Sequence, residues 1–383
     1  MTLSLLPRIR VNFKLGDLFR SLFVTERQNK YHVSAQEKLS NCFDGRRIVL
    51  CSSGRAALYQ ILVSLPQSKV MIPAYTCSCV VDAAHYAHKE IIFASTDAKS
   101  FNTNVFNIPD NDTIVLATHQ YGYPCDIESI AAECKRTGAL MIEDCAASFG
   151  YTINGKTIGT FGDYAIVSFN SSKLINIPSR GGAIVVGAGK EAVIDKLYKN
   201  IIIPSGLFKL KNILKGFVYC FLKNKLVYRL YHYLLLESRG KLHFSEHNNP
   251  DAPMDASYQY AMSEWQSYIL DKQLARLKSY VEKRKELFRI FENSISNPLI
   301  IKPQIQDDVC CCRYTIRVKD RERFYKQCLR KGIDMDFSHS YIASPNEFIK
   351  EHNLCNEILN IPFYPNLKDS ETKRIVDVLN SIS

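Results

Sequence analysis

Apolar positions in this chain recur in two rhythms. Short runs of four or five, bounded by turn residues, appear at Arg47–Leu50, Ile114–Thr118, Ala139–Ile142, Tyr164–Val167 and Ala183–Val186. Runs of that length predict buried strands. Between them the spacing lengthens to three and four, as at Leu58, Ile61, Leu62 and Leu65 and again over Asp126–Cys134, which predicts helices. The alternation predicts an α/β fold with a mostly parallel sheet between helices. Residues 262–291 read as one long helix with Trp265, Ile269, Leu274, Val281 and Phe291 near one face. Beyond it, 312–318 alternates like a half-buried strand and Arg321–Arg330 reads as a helix, which predicts a smaller α+β lobe at the C-terminal end.

Two stretches break this rhythm. Residues 1–44 mix Leu5, Leu6, Ile9 and Val11 with Arg8 and Arg10, and are expected to form an arm that packs on its own or a partner subunit. Residues 207–240 hold seven Lys or Arg against Glu237 alone, interleaved with leucines and tyrosines. An insert at about 200–245 is expected, helical, with its apolar face on the enzyme and its lysines in water. A basic helix pair on anionic lipid is the sharper alternative. The expected organisation is an arm over 1–44, a large domain over 45–260, and a bridging helix with a small domain over 261–383.

Composition narrows the picture. With 383 residues, 46% of them hydrophobic, the chain has enough apolar material for a large domain and a lobe. The 13 cysteines contain no C-x-x-C pair and no histidine at zinc-finger spacing, and Cys310–Cys312 are consecutive. No metal site and a reducing, cytoplasmic setting are expected, at the inner face of the membrane if the basic segment meets lipid. The formal charge of +11 suits phosphorylated substrates. No nucleic-acid motif accompanies it.

The chemistry concentrates at strand ends. Asp144 closes one predicted strand, and Lys173 follows another after Ser168, so both are expected to face one pocket beyond the sheet. A buried carboxylate and amine suit pyridoxal phosphate (PLP), whose pyridine nitrogen needs a proton and whose aldehyde needs an amine. A structural ion pair accounts for the same spacing. Ser53, Gly54, Arg55 and Ala56 stand where a strand turns into a helix, a place whose free N–H groups attract phosphate.

The order I-E-D-C-A-A-S-F-G (142–150), G-T-F-G-D-Y (159–164), S-F-N-S-S-K (168–173) and R-G-G-A (180–183) resembles the DegT-type aminotransferases, the nucleotide-sugar branch of the fold-type I PLP enzymes. The resemblance runs from about residue 45 to the C-terminus. It implies PLP held by Lys173, with Asp144 on the ring nitrogen and Ser168 on the phosphate. It implies further cofactor contacts from Ser53, Gly54, Arg55 and Ala56, from Tyr75 and Cys77 after V-M-I-P, and from Ala147. Gln259 stands where the family carries an asparagine that reaches the neighbouring subunit's cofactor phosphate, which implies a homodimer with shared sites. The implied reaction moves an amino group from glutamate to a keto-deoxysugar nucleotide during surface-polysaccharide or glycan precursor synthesis. His119, Arg180, Arg313 and His339 are candidates for the substrate, as is Tyr341.

Arg55, Ala147, Arg180 and Gln259 all depart from the family's usual residues. A sugar 3-dehydratase on the same scaffold has histidine in place of the lysine, which Lys173 argues against. A non-catalytic relative that binds PLP or a sugar nucleotide, docked on a membrane through 207–240, is the second reading.

Overall fold

The computed structural model describes residues 3–199, 201–204, 206–239, 241, 253–305, 309, 311–337 and 343–383. The apolar runs pair into a seven-stranded sheet. Its strands are β1 (Arg47–Cys51), β2 (Lys69–Pro73), β3 (Glu90–Ala94), β4 (Thr113–Thr118), β5 (Leu140–Asp144), β8 (Tyr164–Ser168) and β9 (Gly182–Val186). A small hairpin, β6 (Thr152–Ile153) with β7 (Lys156–Thr157), lies between β5 and β8 in the chain. The order across the sheet is β1-β9-β8-β5-β4-β2-β3. Only β9 runs antiparallel to its neighbours. Six strands therefore end at one edge, where the ligands of open α/β sheets bind. Apolar side chains fill both faces of the sheet, so its strands read as continuous apolar runs rather than alternations. The α/β expectation with a mostly parallel sheet is borne out.

The C-terminal lobe pairs β10 (Tyr314–Arg317) with β11 (Ile358–Ile361) beside helices Arg321–Arg330 and Asp369–Asn380. The single helix expected over 262–291 is two, Glu264–Leu274 and Leu277–Ser294. The first is buried almost all round and is tied down by Gln273, whose side chain donates to the Asn176 carbonyl. A break at Ala275–Arg276 lets the second leave this packing with a solvent face. The first helix is capped by Ser263, whose N–H donates to Gln266 at 2.8 Å in a reciprocal capping box.

The arm packs on its own chain. Leu6 bridges Ile333 of the lobe, and the Arg8 guanidinium meets the buried Asp334 at 2.8 Å. Arg10 donates two bonds to Glu371 at 2.8 and 2.9 Å, and Asn12 bonds Asn176 and the Leu174 carbonyl of the large domain. A dozen residues thus strap lobe to sheet. The basic insert folds as helices Gly206–Phe221 and Lys225–Leu235, the second capped by the Asn224 side chain. Its inner face packs as expected, but its outer face is apolar as well, with Leu207, Leu214, Phe221, Leu226 and Leu230 exposed. Among the described residues no helix is long and apolar enough to cross a membrane.

Glu371 joins arm, insert and lobe, because Lys225 also reaches it at 2.8 Å. Burial pushes its carboxyl up, but the bonds from Arg10 and Lys225 outweigh that and bring it from 4.5 down to about 2. Its folded form therefore favours the carboxylate, so the stabilisation is complete above pH 4.5 and is lost as pH falls toward 2. The depression corresponds to about 3 kcal/mol. Thermal melts at stepped pH should show wild type well above Glu371→Gln at neutral pH, with the gap closing below pH 4.5. A gap independent of pH would contradict the assignment.

Candidate active site

A cavity of about 520 Å³ opens at the carboxyl edge of the sheet, a size suited to a cofactor with substrate. Asp144, Ser168 and Lys173 all line it. Successive strand residues point to opposite faces, and the Glu143-Asp144 pair uses both. Glu143 points away and accepts N–H bonds from Gly159 at 2.7 Å and Phe161 at 3.0 Å, holding that loop, while His119 Nε2 lies 3.1 Å from it. Asp144 points into the cavity and accepts from the Ala146 N–H at 2.9 Å. Burial raises its carboxyl pKa; the Ala146 bond and the charges of Lys173 and His119 pull the other way. His119 is fully buried. Burial would strip its proton, but Cys125 and Glu143 outweigh that and lift it to about 10.

Beside Ser168, the wall continues as the start of helix Gly54–Ser64. Ser53 caps it, its hydroxyl accepting from Ala56 N–H at 3.1 Å. The first N–H groups of a helix lack intrahelical acceptors, and Gly54 and Arg55 present this end to the cavity. Gly54 is needed for close approach. A Cβ there would sit 2.7 Å from the Ser168 Cβ, so helix start and strand end form one tight seat. Gly182 is tighter still, its hypothetical Cβ 2.4 Å from the Ser53 carbonyl.

These residues fit PLP. A buried carboxylate, a lysine and a glycine-tight helix N-terminus converge on one space, and the buried Thr118 hydroxyl on its wall has no hydrogen-bond partner. Asp144 would face the pyridine nitrogen, Lys173 the aldehyde carbon, and Ser168 with Gly54 and Arg55 the phosphate.

The other sequence candidates divide. Cys77, Ala147, His119 and Arg313 lie on the cavity wall. The Gly122 turn packs against the Ala147 backbone, where a Cβ on Gly122 would stand 2.3 Å from the Ala147 carbonyl oxygen. Tyr75 was expected on the cofactor, but its ring is buried in the inter-lobe core and its hydroxyl bonds Tyr121 at 2.6 Å. Thr76 and Cys77 form the wall there instead. Ser53 and Ala56 stand behind the wall as the helix cap and its donor. Arg180 is exposed at a left-handed φ of 110° and Gln259 bonds Ile202 through its backbone; neither lines this chain's cavity. His339 and Tyr341 lie outside the described residues.

Sequence reading missed a third wall. Arg8, Ile9 and Val11 of the arm and Tyr219, Tyr228 and Tyr231 of the insert face Lys173 across the cavity. Tyr228 and Arg8 share Asp334, so arm, insert and lobe hold one another. Asp336, paired with Arg313, and Cys312, whose thiol bonds the Ser172 carbonyl at 3.2 Å, complete it. Burial raises the Cys312 pKa, but the nearby Lys173, Arg284 and Arg313 charges bring it below the usual thiol value. The signal for the arm was its alternation of arginine with apolar residues; nothing local said which surface it meets.

Gly54→Ala should cost about 1–3 kcal/mol by forcing helix and strand apart. A PLP titration followed by absorbance should show at least tenfold weaker binding. Gly16→Ala, where a Cβ meets nothing within 4 Å, should bind as wild type. Equal affinity for all three proteins would mean the seat is elsewhere.

Comparisons with known proteins agree with this geometry. The model of the DegT/DnrJ/EryC1/StrS aminotransferase family matches residues 28–380. GDP-perosamine synthase of Escherichia coli O157:H7 is 35% identical over 141 residues, 35% of this chain and 38% of that protein. The corresponding enzyme of Vibrio cholerae is 29% identical over 48% of this chain and 50% of its own length, so these matches span half of those relatives or less. A dTDP-3-amino-3,6-dideoxy-alpha-D-galactopyranose transaminase of Aneurinibacillus thermoaerophilus is 23% identical over 82% of this chain and 78% of its own. Among solved structures, an aminotransferase of pseudoaminic acid biosynthesis from Helicobacter pylori superposes with a TM-score of 0.72 at 14% identity, covering 98% of both chains. A Bacillus subtilis structure with bound pyridoxamine phosphate (PMP) gives 0.70 at 18% identity, covering 98% of this chain and 83% of that one. With its sheet order, its strand-end site and a family match over nearly its whole length, this chain belongs to the DegT/DnrJ/EryC1/StrS aminotransferase family.

Proposed function

We propose that the chain is a PLP-dependent aminotransferase that moves the amino group of glutamate onto a keto-deoxysugar carried by a nucleotide. The observation that carries this is the convergence of Asp144 and Lys173 on one cavity that a helix N-terminus also lines. Curated relatives act on GDP- and dTDP-linked sugars by name, and a structural neighbour holds PMP. Bound PLP supplies an electron sink for the carbon that bears the amino group, strongest when its ring nitrogen is protonated. Asp144 would hold that proton, since a carboxylate buried among few donors gains most from a cationic partner.

Lys173 is the one lysine among the described residues of the cavity wall. Its amine would anchor the cofactor and, once released, move a proton on and off the substrate's α-carbon. Arg8, Arg55 and Arg313 add positive charge around the space, against Asp144 and Asp336. That excess suits the diphosphate of a sugar nucleotide.

We assign the product to surface-polysaccharide or glycan precursors, made in the cytoplasm by a homodimer whose Gln259 serves the partner's site. Incubation with glutamate and a panel of keto-sugar nucleotides should release 2-oxoglutarate with at least one of them. Lys173→Ala should lose the visible absorbance of the PLP-loaded protein and slow transfer by on the order of a thousandfold. An unchanged spectrum would overturn the role of Lys173. Retained PLP without turnover on any sugar nucleotide would favour the non-catalytic reading.

A further inference from the structure

Two amphipathic segments meet on one side of the molecule. Helix Leu15–Ser21 and helix Gly206–Phe221 bury Leu18 and Ile213 in a common core with Phe13 and Trp265. The Phe19 and Phe217 rings meet edge-on at 4.9 Å, and Lys209 bonds the Leu22 and Val24 carbonyls at 2.9 and 2.6 Å. The two segments are therefore fixed to each other, and each carries a second apolar face turned outward. On the longer helix Leu207, Leu210, Leu214, Val218 and Phe221 recur at three- and four-residue spacing, which is one stripe. All five are exposed, from 48% at Leu210 to 75% at Leu207, and Phe23 of the neighbouring segment is 81% exposed. A continuous outward apolar surface of this kind marks an interaction site.

The charges at its border are mostly basic, with Glu26 set against Lys209 at one end. Lys211 and Lys215 lie next to the stripe and are exposed, as are Lys14 and Arg20 on the shorter segment. Residues 206–221 contain no acid. The shorter segment's Asp17 is buried and accepts the Lys14 N–H. A second copy packed symmetrically on the stripe would bring lysines against lysines with no carboxylate between them. An anionic lipid surface supplies both what the stripe needs and what the lysines need.

We propose that this face docks on an anionic lipid surface, the Leu207–Phe221 stripe and Phe23 entering the headgroup–acyl boundary and Lys211 and Lys215 meeting lipid phosphates. The helix lies along the surface, because its inner face stays packed on Trp265 and its neighbours. This inference is independent of the reaction proposed above.

Flotation of the full-length protein with vesicles tests it. At low salt, partition onto phosphatidylcholine mixed with phosphatidylglycerol should exceed that onto phosphatidylcholine alone by at least tenfold, and should fall as salt rises. Lys211→Glu with Lys215→Glu should remove the preference for anionic vesicles. Leu214→Ser with Phe221→Ser should lower partition onto either vesicle at least tenfold. Both variants should keep the wild-type melting profile and absorbance with PLP, which separates lost docking from lost folding or a wrong cofactor assignment. Wild type that stays unbound at low salt overturns the proposal. So does a self-association, measured by sedimentation, that Leu214→Ser with Phe221→Ser abolishes, for then the face is a contact between copies.

Discussion

A carboxylate buried without a cation bonded to it sets the terms for this molecule. Asp144 ends a central strand, is nearly sealed from water, and accepts one backbone N–H. Burying a charge is costly unless it is paired, and here burial works to keep the carboxyl protonated. Lys173 and His119 offset the cost only in part, as charges acting on it rather than as bonded partners. A site built this way would gain from binding a protonated heterocycle, whose charge would relieve the buried carboxylate. The protein would then stabilise the cofactor's working state, and the cofactor the protein's carboxylate.

The surroundings keep that carboxylate from relaxing. Glu143, one residue earlier, is spent on Gly159, Phe161 and His119, so the strand end cannot rotate without breaking three bonds. Glycines hold the surrounding walls where they are: Gly54 against Ser168, Gly182 against Ser53, and Gly122 against Ala147. In each case a single added carbon would meet an atom closer than van der Waals contact allows. Preorganisation of this kind lets fixed dipoles and charges act without being reoriented at each turnover.

The strands, the Gly54–Ser64 helix and the Asp144–Lys173 pairing were legible because each is specified locally. A short apolar run between turns is a strand wherever its partners lie, and side chains at strand ends converge by the geometry of parallel sheets. Tyr75 misled because an aromatic beside a cofactor and an aromatic in a core have the same local sequence. The partner that decides, Tyr121, lies 46 residues away. The helix break at Arg276 leaves no glycine or proline to read. The Ser263–Gln266 capping box starts the first helix at Glu264, inside the 262–291 that apolar spacing alone marks out. Least legible were the arm and the insert, whose positions rest on Arg8–Asp334, Arg10–Glu371 and Lys225–Glu371, pairings far apart in the chain.

Those least legible parts are also where substrate choice should reside. The cofactor end of the cavity is built from strand ends and the helix N-terminus, the stretch that carries the family's motifs. The far end is built from Arg8, Ile9 and Val11, from the insert's tyrosines, and from Arg313 with Asp336. Asp334 ties Arg8, Tyr228 and Tyr325 together, so this wall behaves as one piece, and a change in one segment would displace the others. Departures near the cofactor, such as Ala147 and Arg55, then make sense as adjustments to that wall: Ala147 gives room, and Arg55, its guanidinium over Tyr258, adds charge beside the helix end. The arm also braces the lysine's own loop, since Asn12 bonds Asn176 and the Leu174 carbonyl directly after Lys173, so a change in the arm would be felt at the amine as well as at the far end.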